Sequence, residues 1–172
     1  MGIRTFPVAG TGGMTLLSTT AITAVASISI TGIDQTYNEI IIVISNAASV
    51  STSTQIRFTF NSVAGTAYDS NLSGGSGGSS AAGASGLLNV SMGTTANVNN
   101  ANGTLRIVRY TDVTPSKLVT TSAGYVNATA SAITVCNGTT LFASAAAISS
   151  VQLFLNTGNW TAQGNIYIYG VR

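Results

Sequence analysis

From Ile148 to Arg172 the chain alternates apolar and polar residues with a period of two, and no sustained 3.6-residue period occurs anywhere in it. Val151, Leu153 and Leu155 alternate with Gln152 and Phe154. After the polar turn Asn156-Thr157-Gly158-Asn159, Ile166 and Ile168 alternate with Tyr167 and Tyr169. A strand sends successive side chains to opposite faces, so this spacing loads one face of a sheet with apolar groups. A helix of the same residues would scatter them around its axis. The stretch predicts a strand, a turn and a terminal strand.

The pattern recurs upstream. Met14–Thr20 and Ile22–Ile30 each read as a strand, the second with Ile22, Ala24, Ala26, Ile28 and Ile30 on one face. Tyr37–Ile44 holds five consecutive β-branched apolar residues, Ile40 to Ile44. Such a run crowds a helix and suits a central strand covered on both faces. Gln55–Phe60 places Ile56, Phe58 and Phe60 inward, with Arg57 and Thr59 outward. Further strands are expected at Leu87–Met92, Thr104–Tyr110, Lys117–Val126 and Ser131–Cys136. Between them, Ser73–Gly86 (SGGSGGSSAAGASG) has the composition of a flexible loop. Val98–Gly103 and Pro115 mark turns, and Asn137-Gly138 reads as a hairpin turn. Leu141–Ala147 fits either a short helical turn or a strand edge. About eight to ten strands predict an all-β fold, a jelly-roll-like antiparallel β-sandwich. One domain is expected over residues 14–172, after a flexible N-terminal arm at 1–13, MGIRTFPVAGTGG. Phe6-Pro7-Val8 of that arm suits lodging on another surface; a frayed terminus is the equal alternative.

Charge is scarce. Charged residues make up 6% of the chain, against ~25% in an ordinary soluble domain. The carboxylates are Asp34, Glu39, Asp69 and Asp112; the cations are Arg4, Arg57, Arg106, Arg109, Lys117 and Arg172. A net charge of +2 from such scattered groups offers no patch to displace counterions, so no direct nucleic-acid contact is expected. So weak a charge also protects poorly against association. The favoured explanation is a surface covered by identical or neighbouring subunits. Gly, Asn, Ser and Thr interrupt every apolar run short of the ~18 residues a membrane helix needs. A lipid-embedded barrel lacks its aromatic girdles, and the N-terminus has no secretory h-region. A soluble chain made in the cytoplasm, with no membrane partner, is expected. Cys136 stands alone and is expected as a buried space-filler.

Catalysis finds little footing. The chain has no histidine, which removes the commonest general base and metal ligand. Only Asp34 and Glu39 are near enough in sequence to meet locally, whereas glycoside cleavage needs two carboxyls flanking one bond. Ser73–Gly86 lacks the Gly-Lys-Ser/Thr ending of a phosphate cradle. Asp69-Ser70-Asn71 offers oxygens, but Ca²⁺ takes about six to eight and such residues are commonly turn formers. No enzyme activity, cofactor or metal is expected. Trp160, Tyr167 and Tyr169 are the residue types that anchor interfaces, with a sugar-stacking platform as their second use.

Four stretches, in order, carry a resemblance. Asn159-Trp160-Thr161 followed by Gly164-Asn165-Ile166-Tyr167-Ile168-Tyr169-Gly170-Val171-Arg172 resembles the ends of many bacteriophage virion proteins, those of marine and cyanobacterial phages most closely. These typically close on Gly-x-Ile-x-Leu/Ile-Tyr-Gly-Val/Ile-Lys/Arg. Leu16-Leu17-Ser18-Thr19 with Ile28-Ser29-Ile30 resembles them too, as do Gln35-Thr36-Tyr37 with Ile40 to Ile44, and Ile56-Arg57-Phe58-Thr59-Phe60-Asn61 with Tyr68. The resemblance implies a jelly-roll-like module, commonly trimeric, on phage heads or at the tips of tail fibres, with no catalytic residues to carry over. Fibre proteins usually bring a long stalk or attachment domain ahead of this module, where this sequence has a short arm. The resemblance thus points to a capsid decoration (cement) protein of the virion, a homotrimer bound to the major capsid protein. Arg4, Phe6, Pro7 and Val8 of the arm, with Trp160, Tyr167 and Tyr169, are the expected interface. The alternative is a receptor-binding fibre module that recognises a host surface glycan.

Overall fold

The computed structural model describes residues 13–51, 54–74, 77–88, 101–113, 116–126 and 133–172. Among the described residues there are twelve strands and no helix. In chain order they are β1 (Met14–Ala21), β2 (Ser27–Thr31), β3 (Glu39–Ala47), β4 (Ile56–Phe60), β5 (Tyr68–Gly74) and β6 (Gly77–Gly83), followed by β7 (Gly86–Leu87), β8 (Ala101–Val108), β9 (Lys117–Val126), β10 (Ile133–Phe142), β11 (Ser150–Leu155) and β12 (Asn165–Val171).

Pairing reveals the plan. β1 pairs with β12, β2 with β11, β3 with β8 and β4 with β7, all antiparallel. These eight strands form one long hairpin, rolled up so that its rungs fall alternately into two sheets. One carries β1-β12-β3-β8, the other β2-β11-β4-β7. That is the order of a jelly roll, two Greek keys closed on each other. Two hairpins, β5–β6 and β9–β10, are spliced into the roll and both join the first sheet. It grows to eight strands in the order β1-β12-β3-β8-β9-β10-β5-β6, facing a sheet of four.

The alternation read from the sequence sets which side is buried. Val151, Leu153 and Leu155 of β11 are buried, as are Ile166, Ile168 and Gly170 of β12, while Gln152, Phe154, Tyr167 and Tyr169 are half-buried. Ile40, Ile42 and Ile44 of β3 are enclosed. Ile41 and Val43 on the opposite side are only half-buried. The cover expected on both faces of this strand is therefore supplied by the chain on one face alone. Four rings, Phe58, Phe60, Tyr68 and Phe142, join β4 of the small sheet to β5 and β10 of the large one, with centroids 5.0 to 6.5 Å apart. The Phe60 N–H donates to Tyr68 Oη at 2.7 Å. Burial pushes this phenol up to about 12, against the opposing effect of that hydrogen bond. Beside the rings, the buried Ser70 and Thr140 hydroxyls bond at 2.8 Å, and Ser70 Oγ also accepts from the Leu87 N–H at 3.2 Å. Cys136 is buried, as expected. At the end of the roll the Tyr37 ring lies against Gly170, and the Arg172 guanidinium sits 5.3 Å from its centroid.

Several expected turns and loops are strands. The Gly/Ser tract forms the end of β5 and all of β6, paired from Gly74↔Gly77 to Tyr68↔Gly83. A ladder needs backbone groups, and glycine weakens it through entropy without removing a donor or acceptor. Asn137-Gly138 does not reverse the chain; it lies within β10, paired to β9 on one side and β5 on the other. A Cβ at Gly138 would fall 2.5 Å from the Asn71 carbonyl oxygen, so the glycine serves the close approach of β5. β2 starts at Ser27 because the preceding segment bends away: the Ile22 N–H bonds Gly164 O and Val25 O accepts from the Trp160 N–H. Leu141 and Phe142 complete β10, and residues 143–149 are irregular without a helical turn. β8 begins at Ala101, inside the expected turn at 98–103. Of the expected strand at 87–92 only Leu87 pairs in β7 and Leu88 lies beyond it; residues 89–92 fall outside the described residues, as do Pro115 and the arm at 1–12.

Candidate functional site: the outer face of the large sheet

Arg4, Phe6, Pro7 and Val8 lie outside the described residues. Trp160, expected at an interface, is wholly buried within the chain. Its backbone bridges to Ser49 and bonds Val25, which seats the residue among the core side chains. The intermediate Tyr167 and Tyr169 are neighbours on the other side of β12, with ring centroids 6.3 Å apart. The structure thus brings the two tyrosines together and places the tryptophan elsewhere.

Strand register identifies what shares the tyrosines' face, because directly opposed residues point the same way. Tyr167 lies opposite Val43 and Thr19; Tyr169 lies opposite Ile41 and Leu16. Ile41 and Val43 oppose Arg106 and Thr104 of β8, which oppose Thr120 and Ser122 of β9. Leu16, Val108, Leu118, Ile133, Val135 and Leu141 belong to this same outer face by register and are exposed, Ile133 by 78% and Leu118 by 60%. Charge is nearly absent. Glu39 and Arg106 are paired through two contacts, Nη2 to Oε2 at 2.9 Å and Nε to Oε1, and the carboxylate holds the guanidinium above its usual value. Asp69, opposite Leu141, is the other charge among the described strand residues of this face. Small residues at Thr104, Ser122 and Gly124, flanked by Val43 and Val135, leave an open depression of about 280 Å³. That is too shallow to enclose a small molecule as a binding pocket does.

The outer face of the small sheet differs. Its Ser27 and Ser29 hydroxyls accept from the Gln152 amide at 3.3 and 3.4 Å, beside Arg57 and the half-buried Phe154 on the same face.

Chemistry-bearing groups of the described residues do not converge. Among the described residues no group of three or more His, Cys, Asp or Glu could hold a metal ion. The Asp34 carboxylate accepts from the Thr36 N–H at 2.9 Å, while Glu39 serves Arg106, so the two carboxyls have separate partners. Asp69-Ser70-Asn71 lies in β5, and strand alternation sends Ser70 inward and its neighbours outward; the triplet is not a cation-binding loop. Lys117 is buried, donates to Ser144 O at 3.0 Å, and is pulled down in pKa by that burial. The exposed apolar positions were the residues sequence reasoning missed. Their signal is apolar pairs such as Leu118-Val119 and Val135-Cys136, which load both faces of one strand. No helix among the described residues is long and apolar enough to cross a membrane. Comparison with protein-family models, with curated proteins and with solved structures found no match to this chain.

Proposed function

We propose that this chain is a structural subunit of a bacteriophage virion, a decoration protein that lies on the capsid and stabilises it. The observation that carries the reading is the broad, nearly uncharged outer face of the large sheet, because extended exposed apolar surface marks sites of association. The resemblance of four ordered stretches to phage virion proteins supplies the kind of assembly. The action is passive: apolar area leaves water at roughly 25 cal/mol per Å², and main-chain groups add hydrogen bonds. The partner in this reading is the major capsid protein, engaged by a trimer of the chain.

Co-sedimentation of the purified protein with heads lacking it, beside an adsorption assay on host cells, tests the proposal. Saturable binding to heads without adsorption to cells is expected. Adsorption to cells without head binding would overturn it in favour of a glycan-binding fibre module. With Trp160 in the core, that alternative retains only Tyr167, Tyr169 and the hydroxyl-lined depression.

A further inference from the structure

Among the described strands the two sheets end in four edge strands: β1 and β6 in the large sheet, β2 and β7 in the small one. An edge carries an unpaired row of N–H and C=O groups, and proteins usually blunt it with brevity, a bulge, charge or proline. β7 has two residues and β2 has five. β1 is broken by an irregularity between Leu16 and Ser18. β6 has none of these devices. Its seven residues keep an unbroken register with β5, and neither a charged residue nor a proline occurs from Ser70 to Leu88. It is built of Gly, Ser and Ala alone, which lets another backbone come close. Its neighbours among the described strands are β5 along one edge and β7 of the other sheet.

We propose that the outer edge of β6, unpaired among the described residues, docks against β6 of a second copy, antiparallel about a two-fold axis, so that two eight-stranded sheets continue into one. Strand addition takes its affinity from main-chain hydrogen bonds and its specificity from pockets for alternate side chains. Gly, Ser and Ala provide no such reading of a foreign sequence. Identical strands need none, since a two-fold contact satisfies both edges with one self-complementary surface. No like charges oppose it. With the axis at Ser80, Gly77 meets Gly83 and Gly78 meets Ala82. The inference concerns an edge and does not rest on the virion reading.

Directly opposed residues of antiparallel strands have Cα atoms about 4.5–5.5 Å apart, inside the range a disulfide spans. Under mild oxidation of the full chain, Ser80→Cys is therefore expected to yield a covalent dimer by itself. Gly78→Cys and Ala82→Cys should cross-link well only when mixed. The native Cys136 is buried and stays out of the reaction. Ser80→Lys, which sets two ammonium groups on the axis, should weaken self-association several-fold in sedimentation. A wild-type chain that sediments as a monomer at the concentration used for oxidation would overturn the proposal, whatever the variants do. So would Gly78→Cys or Ala82→Cys alone cross-linking as readily as Ser80→Cys.

Discussion

Tyr68 is a phenol held among three phenylalanines, pushed by burial up to about 12. An unfolded tyrosine ionises near ~10. Below that pH the folded chain has the full benefit of the neutral phenol; as pH rises toward the folded value the unfolded chain sheds its proton first and the benefit is lost. Burial raises Tyr110 and Tyr125 in the same direction, so alkaline unfolding draws on all three. Tyr68→Phe should cost about 1–3 kcal/mol near neutral pH, because the Phe60 N–H loses its acceptor. The gap to wild type should then shrink by on the order of 2 kcal/mol toward pH ~12. Urea unfolding at neutral and at alkaline pH checks this; a gap that stays constant contradicts it. Gly170→Ala would place a Cβ 2.5 Å from the Tyr37 ring, and overpacking of that kind costs about 1–3 kcal/mol. A fall in the urea midpoint with no change in slope is the expected readout. Trp160 shows where residue-level reading fails. A large aromatic after a turn serves a core or an interface equally well, and only the bridge to Ser49 and the bond to Val25 decide the side.

Among the elements, strands whose two faces differ were legible, and strands whose faces are alike were not. The spacing of Ile56, Phe58 and Phe60, and of Leu105 and Ile107, placed β4 and β8 with their buried sides correct. β6 has no apolar side to announce itself, and β10 carries Asn137-Gly138, which locally resembles a reversal. What holds them is lateral pairing, a non-local property that no short window of sequence contains. Gly138 is the test at this scale. Gly138→Val would drive a side chain into the Asn71 carbonyl and the Leu72 backbone, lifting β5 from β10. Hydrogen exchange should then quicken across 68–83, while β3 and β12 keep their protection; equal loss everywhere would mean that the hairpin is no separate unit.

At the scale of the molecule, the large sheet's outer face sets exposed apolar residues such as Leu118, Ile133 and Val135 among hydroxyls, with few charges. Leu118→Lys and Val135→Lys alter exposed side chains, so stability should move by no more than about 0.5 kcal/mol. In the proposed role each should lower head binding at least several-fold, measured by co-sedimentation, and wild-type binding should hold nearly constant as salt is raised, since few charges are there to screen. Unchanged binding by both variants would remove this face from the interface. The all-β character and the sandwich were legible because alternation survives in most strands; the nesting of the roll was not, because pairing order leaves no local trace. That nesting has a consequence for synthesis. Among the described strands β1 pairs with β12 alone, with residues 22 to 164 between them. At a ribosomal rate of about 5–20 residues per second, β1 waits roughly 7–30 s for that partner to be made. Through the same interval Ile40 to Ile44 of β3 lack β12 as well, a β-branched apolar segment open to neighbouring nascent chains. Birth order and assembly order run against each other here, and β1, made well before β12, can be set in place only after it.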